Sequence, residues 1–108
     1  MKQKFYITTA IPYVNAAPHI GFAMELLQAD VLARYYRLRD FDVRFLTGTD
    51  EHGSKLNKMA QEQGMTPQEL VDQNAVKFAE LGKALNSSHD DFIRTTSSRH
   101  KAGVLKIW

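Results

Sequence analysis

The sequence predicts an α/β chain, the first half of a doubly wound parallel sheet, and three observations predict it. Segments of strand character alternate with segments of helical character in the order strand, helix, strand, two helices, strand, helix. That is the grammar of a parallel sheet with helical crossovers. The first long helical segment joins two strands into one βαβ unit, for which a right-handed crossover is expected. Two loops rich in His, Asp, Gly and Pro follow the first and second strands. They fall at the carboxyl edge, where open α/β sheets bind ligands.

Phe5-Tyr6-Ile7-Thr8-Thr9 is aromatic and β-branched, which favours a strand. Its apolar character is continuous enough to predict burial on both faces. Pro12 and Pro18 bracket a loop, and Pro18 disfavours helix at Ala17, so a helix is expected to begin about there. Ile20, Met24, Leu27, Val31, Tyr35 and Leu38 then recur at helical spacing, with Leu26, Ala29, Leu32, Ala33 and Tyr36 on the other sides. A helix apolar nearly all round is expected to be buried nearly all round. Asp40 and its neighbours form a turn, and Val43 to Thr47 a second strand.

A loop from Gly48 to Ser54 leads into a short helix from about Lys55, which Gly64 ends as a left-handed cap. Thr66-Pro67-Gln68-Glu69 is a helix start: Thr66 caps, Pro67 fills the first turn and Glu69 completes a capping box. That helix carries Leu70, Val71, Ala75, Phe78, Leu81 and Leu85 on one face. Phe92 to Thr95 reads as a third strand, and Ser97 or Ser98 opens a last helix running to Trp108.

Composition narrows the function classes. Of 108 residues, 44% are hydrophobic and 24% charged, an ordinary globular balance rather than a disordered one. A net charge of +2, spread along the chain, is too slight to argue for nucleic acid by itself. With no Cys, neither a disulfide nor a thiolate zinc site can form within these residues. No apolar run approaches the roughly 20 residues of a membrane span. The basic start and short apolar stretch resemble a signal peptide, but Pro12, Asn15, Pro18 and His19 interrupt it. A cytoplasmic location is expected.

Two constellations carry chemistry. The first is Ala10 to Phe22, where the first strand meets the first helix. A helix N-terminus there offers N–H groups and a positive dipole end to a phosphate. His19 can add a donor, and Gly21 lets a flat group approach the backbone. The alternative is a capping or surface histidine beside a packing glycine. The second is Leu46 to Ser54, with Asp50, Glu51 and His52 between Gly48 and Gly53. A carboxylate at that edge can hold an ammonium by a charge-assisted hydrogen bond, although Asp, Gly and Ser are also ordinary turn residues. Asp50, His52 and His19 make a weak metal signal, because no further Cys or His lies near them in sequence, so no metal site is expected. His89, with Asp90 and Asp91, reads as a solvated turn, His100 as an exposed helix residue, and Tyr35 and Tyr36 as packing residues.

Taken together these blocks resemble the methionyl-tRNA synthetase family of class I aminoacyl-tRNA synthetases. Phe5 to Tyr13 is similar to the family's Tyr-Ile-Thr-Thr-x-Ile-x-Tyr opening. Pro18-His19-Ile20-Gly21-Phe22 occupies the place of the His-Ile-Gly-His signature, and Gln28 to Tyr35 looks like the helix that follows. Phe45-Leu46-Thr47-Gly48-Thr49-Asp50-Glu51-His52-Gly53 is the most specific block, and Asp91 to Thr96 with Arg99-His100-Lys101 also matches. The resemblance covers essentially the whole chain.

The resemblance implies a Rossmann-like catalytic domain of which residues 1–108 are the N-terminal part, ending before the connective insertion. The implied activity has two steps. ATP, with Mg2+, and methionine give methionyl-adenylate and pyrophosphate, and the methionyl group then passes to tRNA(Met). By position, His19 stabilises the phosphates, and Tyr13, Asn15, Pro18, Gly21 and Phe22 join it in binding ATP, with Gly21 beneath the adenine. Ala10, Ile11 and Tyr13 line the methionine pocket, Asp50 binds the ammonium and His52 sits beside it. Zinc belongs, if anywhere, to the insertion.

Phe22 departs from the signature, since phenylalanine cannot donate to a phosphate or ribose as a second His would. The Lys-Met-Ser-Lys-Ser type loop lies outside these residues, so the 108-residue chain alone is expected to be inactive. A synthetase for leucine, isoleucine or valine remains a rival reading, and so does a nucleotide-binding remnant without ligase activity.

Overall fold

A computed structural model describes all of residues 1–108. Three parallel strands, β1 (Lys4–Thr8), β2 (Asp42–Thr49) and β3 (Asp91–Arg94), lie in the order β1-β2-β3. Phe5 pairs with Val43 and Ile7 with Phe45, and Thr47 pairs with Phe92. Helix α1 (Ile20–Leu38) crosses from β1 to β2, α2 (Ser54–Glu62) and α3 (Pro67–Ala84) cross from β2 to β3, and α4 (Ser98–Ile107) follows. Both crossovers step in the same direction. Right-handed connections of that kind fall on one face of a sheet, so α1 and α3 share a core with Phe45 of β2.

That arrangement corrects two expectations. β1 is an edge strand with alternating exposure: Phe5 and Ile7 face the helices, while Lys4, Tyr6 and Thr8 are exposed. Helices cover only one face of the sheet, so the continuous apolar run does not report burial on both. Helix α1 is likewise buried on one side. Phe22, Leu26, Ala29 and Ala33 form its buried stripe, and the small alanines let the helix approach the sheet closely. The bulky series from Ile20 through Met24 and Val31 to Leu38 points outward, with Ile20 87% and Leu38 88% exposed.

The helix ends follow their local chemistry. Helix α1 begins at Ile20, where the helical apolar pattern starts and just past Pro18, with His19 as its N-cap. Gly64 takes φ 68° after α2, the left-handed conformation expected of it. Thr66 and Glu69 form the complete capping box of α3. Ser97 caps α4, its hydroxyl accepting from the His100 N–H.

Two polar clamps tie the layers together. Asp30 of α1 accepts from the Ser88 N–H and hydroxyl and from Arg34 Nε. Asp90 accepts from the Phe45 N–H at 2.7 Å and from Arg37. Tyr36 packs as expected, stacked on Phe5 at 3.7 Å between centroids, while Tyr35 meets it edge-on. His89 is no solvated turn residue: it is half-buried, bonded to Ser87 and edge-on to Phe45. His100 is half-buried rather than exposed.

Candidate active site

The loop after β1 and the loop after β2 are joined by their main chains at the carboxyl edge. Asp50 N–H donates to Pro12 O at 2.8 Å, and Val14 N–H donates to Asp50 O at 3.2 Å. Tyr13 and Asp50 thereby form a parallel bridge that extends the sheet by one pair. Asn74 of α3 donates from Nδ2 to Val14 O at 2.8 Å. That bond pins the apolar Val14 into the core while the residues around it stay at the surface.

Above this bridge lies a pocket of about 280 Å³ lined by Pro12, Tyr13, Asn15, Ala16, Ala17, Pro18, His19, Phe22 and Phe78. The structure thus brings together Tyr13, Asn15, Pro18, His19 and Phe22. Ala10, Ile11, Gly21, Asp50 and His52 do not line it. Ala10 is exposed and donates its N–H to Glu25 Oε1 at 2.7 Å, and Ile11 is 38% exposed. Asp50 borders the pocket through its main-chain bonds. Its half-buried carboxylate takes part in no ion pair. His52 lies instead between two other cavities, one shared with Thr95, His100 and Lys101 and one with Gly53, Asn57 and Gln68, with Nε2 3.2 Å from Thr95 O.

His19 is both a cap and a candidate donor. Its Nδ1 accepts from the Gly21 N–H at 2.9 Å. A backbone N–H can only donate, so Nδ1 is unprotonated and the neutral ring carries its proton on Nε2, free to donate outward. The first turn of α1 offers fewer free donors than expected, because the Phe22 and Ala23 N–H groups both bond to His19 O. The dipole of α1 and His19 Nε2 are what this end presents to an anion. A Cβ at position 21 would lie 2.7 Å from His19 Cε1, so the space that Gly21 leaves is filled by the imidazole itself. Phe22 is 7% exposed and meets Phe78 edge-on at 5.5 Å. It is a core residue that forms the pocket's apolar floor.

Tyr13 has a second partner. Its hydroxyl accepts from the Leu56 N–H at 3.2 Å. Leu56 is the third residue of α2, whose N-cap is Gly53 with no side chain to supply a cap. The phenol therefore takes the place of the capping side chain. Gly53 sits at φ 149°, and a Cβ there would overlap Tyr13 Oη and lie 3.1 Å from Cζ. Glycine is required at this position on both counts.

The sequence places Glu51 in the loop after β2 without a role of its own, and it assigns none to Arg94, Asp72 or Asn74. Glu51 has no exposed side-chain surface and is held by Arg94, Thr49 and Thr96. Burial works against the Arg94 charge, but the stronger hydrogen bond to Glu51, with Asp72 adding to it, holds its pKa above the usual arginine value. The signal for these residues was a Glu and an Arg at the carboxyl ends of neighbouring strands.

Known proteins share this architecture. The M. tuberculosis methionyl-tRNA synthetase in complex with methionyl-adenylate superposes with a TM-score of 0.94 at 46% identity, covering 98% of this chain and 21% of that one. The methionine–tRNA ligase of Brucella suis is 51% identical over 107 residues, 99% of this chain and 21% of its own. That of Rickettsia conorii is 52% identical over 108 residues, and that of Bacillus subtilis 51% over 104 residues, 16% of its length. The chain spans about a fifth of the length of most of these relatives. The profile of the tRNA synthetases class I (M) matches residues 5–108, and the chain belongs to that family.

Proposed function

We propose that this chain forms the first part of the nucleotide-binding catalytic domain of a methionine–tRNA ligase. In this reading the protein activates methionine with ATP to methionyl-adenylate, releases pyrophosphate and transfers the methionyl group to tRNA(Met). The observation that carries the reading is the pocket of Tyr13, Asn15, Pro18, His19 and Phe22 beside the unpaired Asp50 carboxylate. Its match in fold is a synthetase whose complex holds methionyl-adenylate.

His19 Nε2–H donates to a phosphate oxygen as charge develops at the α-phosphorus. Because Nδ1 is fixed on Gly21, the donor is already aimed and costs little reorganisation. The α1 N-terminus adds its dipole. Asp50 takes the methionine ammonium by a charge-assisted hydrogen bond. Tyr13, anchored by its hydroxyl on Leu56, sets its ring against the apolar thioether side chain, a favourable sulfur–aromatic contact. Ala10 and Ile11, at the exit of β1, flank that side chain, and His52 acts from the far side of the loop. Gly21 leaves room for the His19 imidazole, and its place under the adenine is part of the same reading.

In this reading Mg2+ comes with the phosphates of ATP, as the family resemblance implies. With no cysteine, these residues do not fit a thiolate zinc site, and no step is assigned to zinc. No helix is long and apolar enough to cross a membrane, and a cytoplasmic location accords with a partner tRNA.

The test is ATP–pyrophosphate exchange by the full-length protein that carries this chain, with methionine, leucine, isoleucine or valine as the amino acid. Methionine should support exchange at least about 100-fold better than the aliphatic competitors, a ratio a specific pocket can reach. Preference for an aliphatic residue would make the protein a sister synthetase. Nucleotide binding without exchange would make it a binding remnant.

A further inference from the structure

Asp50 is held from two sides. On one side its main chain is bonded to Pro12 and Val14. On the other its neighbour Glu51 sits in a closed polar network. Glu51 Oε1 accepts from Arg94 Nη2 at 2.6 Å and from Thr96 Oγ1 at 3.1 Å. Oε2 accepts from Arg94 Nε at 2.9 Å and from Thr49 Oγ1 at 2.6 Å. The Glu51 N–H donates to Thr95 Oγ1 at 2.8 Å. Arg94 Nη2 reaches on to Asp72 Oδ1 of α3 at 2.6 Å, and Gln68 donates to the same Asp72 oxygen. The ends of β2 and β3 thus meet on the buried Glu51 carboxylate, and Arg94 links it to the first turns of α3 through Asp72. Two residues further along α3, Asn74 grips Val14, so one helix frames both sides of Asp50.

A buried ion pair contributes little net stability, because desolvation offsets most of the attraction. What a bidentate arginine fork does supply is a fixed geometry. Here every acceptor of Glu51 is used, and the residue next to it in the chain carries the one carboxylate at this edge that has no partner.

We propose that Glu51 and Arg94 are positioning residues, which set the direction of the Asp50 carboxylate toward the substrate ammonium. The inference rests on the reading of Asp50 as the ammonium partner. Neither side chain touches substrate; both act through the main chain of residues 49–51. Small displacements of a binding group cost large factors in rate, so loosening this network should raise the KM for methionine by about tenfold. The KM for ATP should stay within about twofold, because the His19 end is held by other bonds.

The experiment is pyrophosphate exchange by the full-length protein with Glu51→Gln, Asp50→Asn and the double variant, each checked for folding by circular dichroism at the assay temperature. Expected are a methionine-specific rise in KM for Glu51→Gln and no further rise when it is added to Asp50→Asn. Arg94→Lys, which keeps the charge and loses the fork, should lie between wild type and Glu51→Gln. Thr95→Val, which removes only the acceptor of the Glu51 N–H, is the variant to use if Glu51→Gln does not fold. Equal effects on methionine and ATP would overturn the proposal, as would a Glu51→Gln effect undiminished in the Asp50→Asn background. If Asp50→Asn alone leaves methionine KM unchanged, it is the reading of Asp50 that fails, and the positioning role falls with it.

Discussion

Replacing Gly53 by alanine probes how closely the two loops of the site are interlocked. The new Cβ would overlap Tyr13 Oη, and the backbone sits at φ 149°, a region alanine rarely adopts. Holding a non-glycine residue there costs on the order of 1–3 kcal/mol. Displacing the phenol breaks its bond to Leu56 N–H, and Leu56 is 1% exposed. A buried donor left without a partner costs about 1–3 kcal/mol. Gly53→Ala should therefore destabilise by about 2–6 kcal/mol in all. Tyr13→Phe alone leaves the same N–H unpaired and should cost about 1–3 kcal/mol. In the double variant that loss is counted once and the worst overlap is gone. The two changes should then fall short of additivity by about 1–3 kcal/mol. Urea denaturation of the 108-residue chain measures all three, with an excluded osmolyte to keep the weakest variant folded. Additivity within about 0.5 kcal/mol would refute the view that Tyr13 caps α2 across Gly53.

Asp50→Ala in the full-length protein should lower kcat/KM for methionine by about 30-fold, the equivalent of a lost charge-assisted contact of about 2 kcal/mol, with ATP use little changed in exchange kinetics. Phe22→His should remain active, yet melt lower by an amount equivalent to about 1–3 kcal/mol, because a polar ring enters the contact with Phe78. Phe22→Ala should cost about 3–5 kcal/mol through the cavity it leaves, and a folded but inactive Phe22→His would show that this ring has a role beyond packing. Stability should fall with acid below about pH 4. Burial raises the Asp30 carboxyl, but hydrogen bonds from Ser88 and Arg34 more than offset it, while Arg94 lowers Asp72 and Arg99 lowers Asp91, all from an ordinary 3.8. Folded values below unfolded ones mean stability that is present above 3.8 and lost as pH drops through the folded values. In thermal melts between pH 6 and 3, Asp30→Asn should flatten part of that loss, and an unchanged profile would contradict it.

Much of this architecture is local chemistry written in the order of residues. The alternation of strand and helix, the capping box at Thr66, the left-handed Gly64 and the two loops at strand ends each depend on a few neighbouring residues. Pattern and propensity are enough to read them. The loops' residue types also identify the edge of the sheet that carries His19 and Asp50, because the carboxyl ends of parallel strands lie together whatever packs around them.

Tertiary structure alone decided which side of each apolar element is buried. Helix α1 has two apolar stripes, and periodicity cannot choose between them. The stripe of Phe22, Leu26, Ala29 and Ala33 faces the sheet, where Ala29 and Ala33 let the backbones come close, and both crossovers lie on that face. The apolar run of β1 has the same ambiguity, which its place at the sheet edge resolves. Three-dimensional neighbours also set the roles of single residues in the site. His52 and Asp50 are two positions apart, yet Asp50 is bridged to Tyr13 at the His19 pocket while His52 lies against Thr95 beyond β3. Tyr13 caps a helix more than 40 residues away, and Glu51 finds Arg94 only when β2 and β3 pair. Such contacts join residues that are distant in sequence, and their geometry comes from packing rather than from any local preference.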